Sequence, residues 1–464
     1  MARLSRWIVV GLLVLAGCGG DDDGDGDGPG GEVPEDVLDF LHTIPGMTVN
    51  EEPVDGGYRF FRLEYEQPAD HDDPDGVTFR QRMTLLHSDR DAPVVLHTSG
   101  YYAYDEPFAA ELTYLLGANQ LHVEQRFFEP SRPDPADWSL LTIAQAAADH
   151  HRIIEAMAPY YGAAWVSSGA SKGGMTSVFH RRFYPDDVDA TVAYVAPISH
   201  GAPDDSYQPF FDTVGTADCR AALRDYQIEL LTRREEMVAR MENFGADNGI
   251  TFDRSAGAAG AFEDSVVEFP WGFWQYAEAS DCAAIPPTSA TDAELWSFHQ
   301  DLGDLAFYGD QEIEDYLPYF YQAELELGYP SVPSAHIDDL LETQEIERDY
   351  LPAGVSASFD PSAMEDIEAW VQSDGSRLLF IYGGNDPWTA GAFDLGSASD
   401  SFLYVAPGLN HAASIADLTD DDQSAALSAL ERWTGVTPAD TSAFRRAARL
   451  PAEPAPTRLR PRRP

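Results

Sequence analysis

Ala164-Trp165-Val166-Ser167-Ser168-Gly169-Ala170-Ser171-Lys172-Gly173-Gly174-Met175 is the stretch from which the fold of this 464-residue chain can be read. The apolar run Ala164–Ser167 reads as a short buried strand, and a helical pattern follows over Met175–Phe183. Between them stands Gly169-Ala170-Ser171-Lys172-Gly173-Gly174, a G-x-S-x-G turn. A strand that swings sharply into a helix needs glycines there, because side chains would strike the neighbouring strands. The turn lifts the Ser171 hydroxyl to the strand's C-terminal edge, where the backbone N–H of Lys172 faces any developing negative charge. Ser171 is therefore a candidate nucleophile. A glycine-rich turn of a sheet without chemistry is the plain alternative; the strand before and the helix after argue against it.

Working outward, Tyr58–Tyr65 and Thr78–His87 read as alternating strands. Compact apolar runs follow at Val94–His97, Leu121–Val123, Thr191–Val195, Leu378–Tyr382 and Phe402–Val405, separated by helical stretches. Short continuous apolar strands alternating with helices predict an α/β fold, a mostly parallel sheet covered on both faces. Residues 200–360 break the rhythm with a long helical pattern, Cys219–Phe244, then Trp271, Trp274, Trp296 and the cluster Tyr316, Tyr319, Phe320, Tyr321. This segment reads as a helical cap inserted over the site, with the core divided between 35–199 and 361–440.

A serine hydroxyl needs a base to take its proton. After the Leu378 strand comes Gly383-Gly384-Asn385-Asp386-Pro387-Trp388, and after the Phe402 strand Pro407-Gly408-Leu409-Asn410-His411. Three residues at three strand ends, in the order Ser, acid, His, match the α/β-hydrolase arrangement. His411 is the predicted base and Asp386 the residue that fixes its tautomer. Asp417 is a substitute acid, better read as a helix cap. A second oxyanion donor is expected after the Val94 strand, at the N–H of Tyr101.

The runs Gly169–Thr176, Arg181-Arg182-Phe183-Tyr184-Pro185, Val192–Pro197, Val123–Phe128, Pro130-Ser131-Arg132-Pro133 and Phe273-Trp274-Gln275-Tyr276 resemble the S37 family of secreted bacterial serine peptidases. Asp386-Pro387-Trp388 and Glu124-Gln125-Arg126 also resemble the related S28 proline-preferring exopeptidases. The resemblance runs from about Val37 to Trp433. It implies an exopeptidase releasing short peptides, such as tripeptides, from free N-termini, without metal or organic cofactor. Such an enzyme needs a carboxylate for the substrate's α-ammonium. Glu124 is one candidate, an ion pair with Arg126 or Arg132 being the structural alternative, and Trp388 is a further substrate contact. An esterase or lipase with the same triad, and an inactive surface binding lipoprotein, are the competing readings.

The remaining features concern location. Arg3, Arg6 and the apolar Trp7–Leu15 form a leader, and Leu15-Ala16-Gly17-Cys18 resembles a lipobox, so residues 1–18 predict export with lipid on Cys18. Residues 19–34 form a Gly/Asp tether; its chance likeness to a calcium loop has no flanking helix. The 441–464 tail carries seven Arg among Pro and Ala. The expected location is the periplasm or surface of a bacterium, on the membrane. In an oxidising compartment Cys219 and Cys282 are expected to form a disulfide. With 79 acidic against 29 basic residues, a net charge of −50 excludes nucleic acid as a partner.

Overall fold

The computed structural model describes residues 33–54 and 56–441. The leader with Cys18, residues 19–32 of the tether and the tail from 442 onward lie outside the described residues. Among the described residues nine strands form one sheet: β1 (Met47–Glu52), β2 (Arg59–Pro68), β3 (Thr78–His87), β4 (Val94–Thr98), β5 (Asn119–Val123), β6 (Trp165–Ala170), β7 (Ala190–Tyr194), β8 (Leu378–Gly383) and β9 (Phe402–Ala406). Their order is β1-β2-β3-β5-β4-β6-β7-β8-β9. The first three strands and the β3–β5 junction are antiparallel, and from β5 to β9 every pair is parallel. This is the α/β-hydrolase sheet.

Why the parallel strands read as unbroken apolar runs is plain from their two faces. Leu378 and Phe380 point into one core with Val178 and Phe179 of the helix Lys172–Phe183 and Ile367 and Val371 of the helix Ser362–Ser373. Leu379 and Ile381 point into the other, against Leu112, Leu115, Ala426 and Leu430. Successive side chains alternate sides, and here both sides are covered.

β1 escapes a pattern reading: on the edge of the sheet, its Asn50, Glu51 and Glu52 leave no apolar contrast between faces. The helical pattern at Cys219–Phe244 is two helices, Ala217–Thr232 and Arg234–Asn248, broken at Arg233. Arg233 there bonds away from the helix axis, to Ala290 O, Thr288 O and Asp292. Between β7 and β8 the chain makes a long, mainly helical excursion with a hydrophobic core of its own, including Leu223, Tyr226, Phe262, Phe273 and Trp274. The Cys219–Cys282 disulfide, with Cα atoms 5.3 Å apart, ties the first of these helices to the turn Ala279–Ala284.

β4 has β5 on one side and β6 on the other, so the chain reverses its direction of strand addition there. Beyond the C-terminal ends of strands at such a point a crevice opens, and this is where α/β sheets bind ligands.

Candidate active site

Ser171 sits at the crevice. Its backbone has φ 55° and ψ −127°, a region costing a non-glycine residue about 1–3 kcal/mol. The strain is held by its surroundings: the Ser171 N–H donates to Tyr194 O on β7, and its carbonyl accepts from Met175 as the helix begins. The flanking glycines allow the turn to close. A Cβ on Gly173 would lie 2.3 Å from Thr98 O, and one on Gly100, itself at φ +73°, would lie 2.6 Å from Gly173 N. The loop after β4 therefore rests directly on the serine turn. Lys172 is the first residue of its helix, so its N–H has no intrahelical acceptor.

Asp386 and His411 meet from adjacent parallel strands. β8 ends at Gly383 and β9 at Ala406, paired in register, so the loops that follow emerge side by side. His411 Nδ1 and Asp386 Oδ2 are 2.7 Å apart, and both side chains are buried. The second oxygen, Oδ1, accepts the Trp388 N–H at 3.1 Å, which holds the carboxylate plane. With Nδ1 turned to the carboxylate, the other nitrogen is Nε2, which is buried and makes no hydrogen bond among the described residues. The His411 loop is fixed further along by Glu111, whose carboxylate accepts from the Ile415 and Ala416 amides and from Tyr194 Oη. Asp417 accepts from the Ser414 amide and hydroxyl, the cap already expected of it.

Two assignments need correction. The Tyr101 N–H donates to Ser99 Oγ at 2.9 Å, because the serine hydroxyl folds back over its own turn, so this amide is not available to an oxyanion. The amide of the preceding residue, Gly100, donates to no acceptor among the described residues. Glu124 does not face a ligand: Oε1 accepts from Ser131, while Oε2 accepts from the Ala103 N–H and from Arg82. Its ion-pair partner is thus Arg82; Arg126 is bound to Asp149 and Arg132 to Glu129. Burial pushes the Glu124 carboxyl up to about 7 against the pull of Arg82.

Lys172 contributes its side chain as well as its amide. It is buried, and its ammonium donates to Gly100 O at 2.6 Å, 5.3 Å from the centre of the Tyr101 ring. Burial pushes it down to about 7, with the nearby charge of Glu326 opposing. This contact clamps the loop after β4 onto the serine turn.

The helical excursion packs against the loops of the site. The His411 N–H donates to Gln275 O, and Asn410 donates to Ala277 O. Trp388 lies 4.8 Å from Trp271 and 6.3 Å from His411, ring centre to ring centre. Tyr101 contacts Tyr316 and Tyr319 of the helix Asp310–Gln322, each at 5.7 Å. Tyr276, 6.4 Å from His411, is 39 % exposed, yet burial holds its hydroxyl well above the ordinary value. Glu268 shares these two properties. The signal for it in the sequence is a lone charge inside the apolar run Val266-Val267-Glu268-Phe269-Pro270-Trp271.

The chain is 44% identical over 409 residues to a prolyl tri/tetrapeptidyl aminopeptidase of Streptomyces mobaraensis, covering 87% of this chain and 86% of that protein. Among solved structures, acetyl xylan esterase 1 from Thermoanaerobacterium sp. JW/SL YS485 aligns with TM-score 0.36 at 12% identity, over 85% of this chain and 90% of its own. Proline iminopeptidase from Mycobacterium smegmatis aligns with TM-score 0.31 at 12% identity, over 82% and 97%. The fold accordingly stands on strand order and register, not on these scores. The family described as PS-10 peptidase S37 matches residues 32–462, and together with the identity to the Streptomyces enzyme it establishes that the chain belongs to the S37 family of serine peptidases.

Proposed function

We propose that this peptidase is an exported, lipid-anchored exopeptidase that removes short peptides, tripeptides above all, from free N-termini. The observation that carries the catalytic part is the buried Asp386–His411 contact of 2.7 Å, which leaves Nε2 as the nitrogen able to act as base. The preference for N-terminal tripeptides rests on the relative's name, and the anchor on Leu15-Ala16-Gly17-Cys18 and the Gly/Asp tether that follows.

In this reading Ser171 Oγ attacks the scissile carbonyl carbon while its proton passes to His411 Nε2. The carbonyl oxygen becomes an oxyanion, met by the N–H groups of Lys172 and Gly100. As the carbonyl re-forms, the C–N bond breaks and His411 returns its proton to the departing amine. The acyl group stays on Ser171. Water then attacks by the same route, His411 taking and returning one proton, and the short peptide leaves with a new carboxylate. Asp386 keeps the imidazole in the required tautomer and stabilises the imidazolium formed at each step.

The test compares the full-length chain with Ser171→Ala on peptides with free or acetylated N-termini and on a short-chain ester. Cleavage confined to free-amine peptides, and lowered roughly 10⁴-fold or more by the substitution, is the expected result. Equal cleavage of blocked peptides, or turnover of the ester alone, would overturn the exopeptidase reading. For the anchor, Cys18→Ser should move the enzyme from the membrane fraction to the soluble one.

A further inference from the structure

Resting on the exopeptidase reading, we propose that Glu268 receives the α-ammonium of the substrate and so sets the length of peptide removed. Glu268 stands where the helix Gly257–Val267 gives way to the helix Phe269–Tyr276. Glu268, Trp271 and Gln275 follow at i, i+3 and i+7, which is one face of a helix. The helix touches the reacting loops at both later positions: the Trp271 ring packs on Trp388, and the main-chain Gln275 O receives the His411 N–H. Glu268 thus heads the wall that runs down to His411.

Its surroundings suit an ammonium. Oε2 accepts from Tyr308 Oη at 2.7 Å, and the other groups whose charge it feels, or that feel its charge, are Asp264, Tyr319 and Tyr350. No Lys, Arg or His pairs with it among the described residues, whereas Glu124, Asp149, Glu263 and Asp264 each have an arginine. Burial pushes the Glu268 carboxyl up to about 7, so its ionised form lacks the compensation that a cation would bring. Tyr319, which feels this charge, packs 5.7 Å from Tyr101, the residue after Gly100 in the loop that rests on the serine turn, so the ring of Tyr319 joins the surroundings of Glu268 to that loop.

Distance supplies the ruler. Seven helical steps from Glu268 to Gln275 rise roughly 10 Å. Three extended residues span roughly 10 Å, two only about 7 Å and five about 17 Å. A peptide with its ammonium at Glu268 therefore presents its third carbonyl near the His411 end of the wall.

The experiment measures kcat/KM on Ala-Ala-Pro p-nitroanilide and on its des-amino analogue, for the full-length wild type, E268Q and E268D. The readout is the ratio of the two substrates within each enzyme, which a merely structural role does not move. The wild type should favour the free amine by about 30-fold or more, E268Q should bring the ratio near one through KM, and E268D should keep part of it. An E268Q ratio equal to the wild type's overturns the inference while leaving the exopeptidase reading intact; a wild type indifferent to the amine overturns both. Should E268Q fail to fold, the wild type alone decides with free-amine substrates of two to five residues. A maximum at three supports the ruler, and a flat series overturns it.

Discussion

At the end of β5, in the core, Glu124 is wrapped by the Arg82 guanidinium, the Ser131 hydroxyl and the Ala103 amide, and is completely buried. At the helix junction in the cap, Glu268 accepts from one tyrosine hydroxyl and keeps accessible surface. Both carboxyls are pushed up to about 7 by burial, but the core answers its charge from within and the cap does not. A buried carboxylate satisfied in the free protein is part of the scaffold; one left short of partners is placed for something that arrives. The same division holds for the site as a whole. The core contributes the strained serine, its base and a clamped loop, while the helical excursion contributes the aromatic side chains packed around them.

That contrast can be tested from its strongest element downward. Asp386→Asn keeps the shape but offers His411 the wrong partner, so kcat/KM should fall roughly 10⁴-fold with the melting temperature little changed. A loss below tenfold would mean that His411 is oriented by something else. In the cap, replacing Cys282 with Ser opens a loop of sequence separation 63 and should cost roughly 4 kcal/mol by chain entropy. The loss should appear as earlier melting of the cap; unaltered thermal unfolding would show that cap packing alone holds it. Arg82→Met, back in the core, strands Glu124 and should lower the unfolding free energy by about 3 kcal/mol in urea titrations at pH 8. If Arg82→Met instead weakened only the preference for free-amine peptides, the assignment of Glu124 to the scaffold would fail.

What could be read in the chain follows the same line. β3 runs from Thr78 to His87 as its alternation predicts, and the serine turn declares itself because strand, glycines and helix are contiguous. Asp386 and His411 were legible because each follows its own strand within a few residues. The errors lie where a distant or folded-back group decides. The Tyr101 amide is lost to a hydroxyl two residues earlier, and Glu124 is claimed by Arg82 from the antiparallel strand β3. Glu268 gains its meaning only once Tyr308, Tyr319 and the His411 loop surround its helix, a meeting of segments far apart in sequence.

The smallest predicted effect sits where cap and core touch. Glu326, in the turn Ala323–Leu327, accepts the Ile143 N–H at 2.8 Å and lies within reach of the Lys172 charge. Burial pushes its carboxyl up to about 7 from 4.5, and Lys172 down to about 7 from 10.5. Between pH 4.5 and 7 the folded protein keeps a proton on Glu326 that the unfolded chain has released, so this group's contribution falls as pH rises. Above 7 the unfolded chain instead holds the extra proton, on Lys172, and that contribution grows with pH. Together the pair should produce a shallow stability minimum near neutrality, the acid arm amounting to about 3 kcal/mol at most. Glu326→Gln keeps an acceptor for Ile143 but cannot titrate, so it should flatten the acid arm and spare the alkaline one. Urea unfolding at pH 5, 6, 7 and 8 reads both; an acid arm unchanged in the variant would mean that Glu326 ionises as it does in water, and that cap and core meet there without a protonic cost.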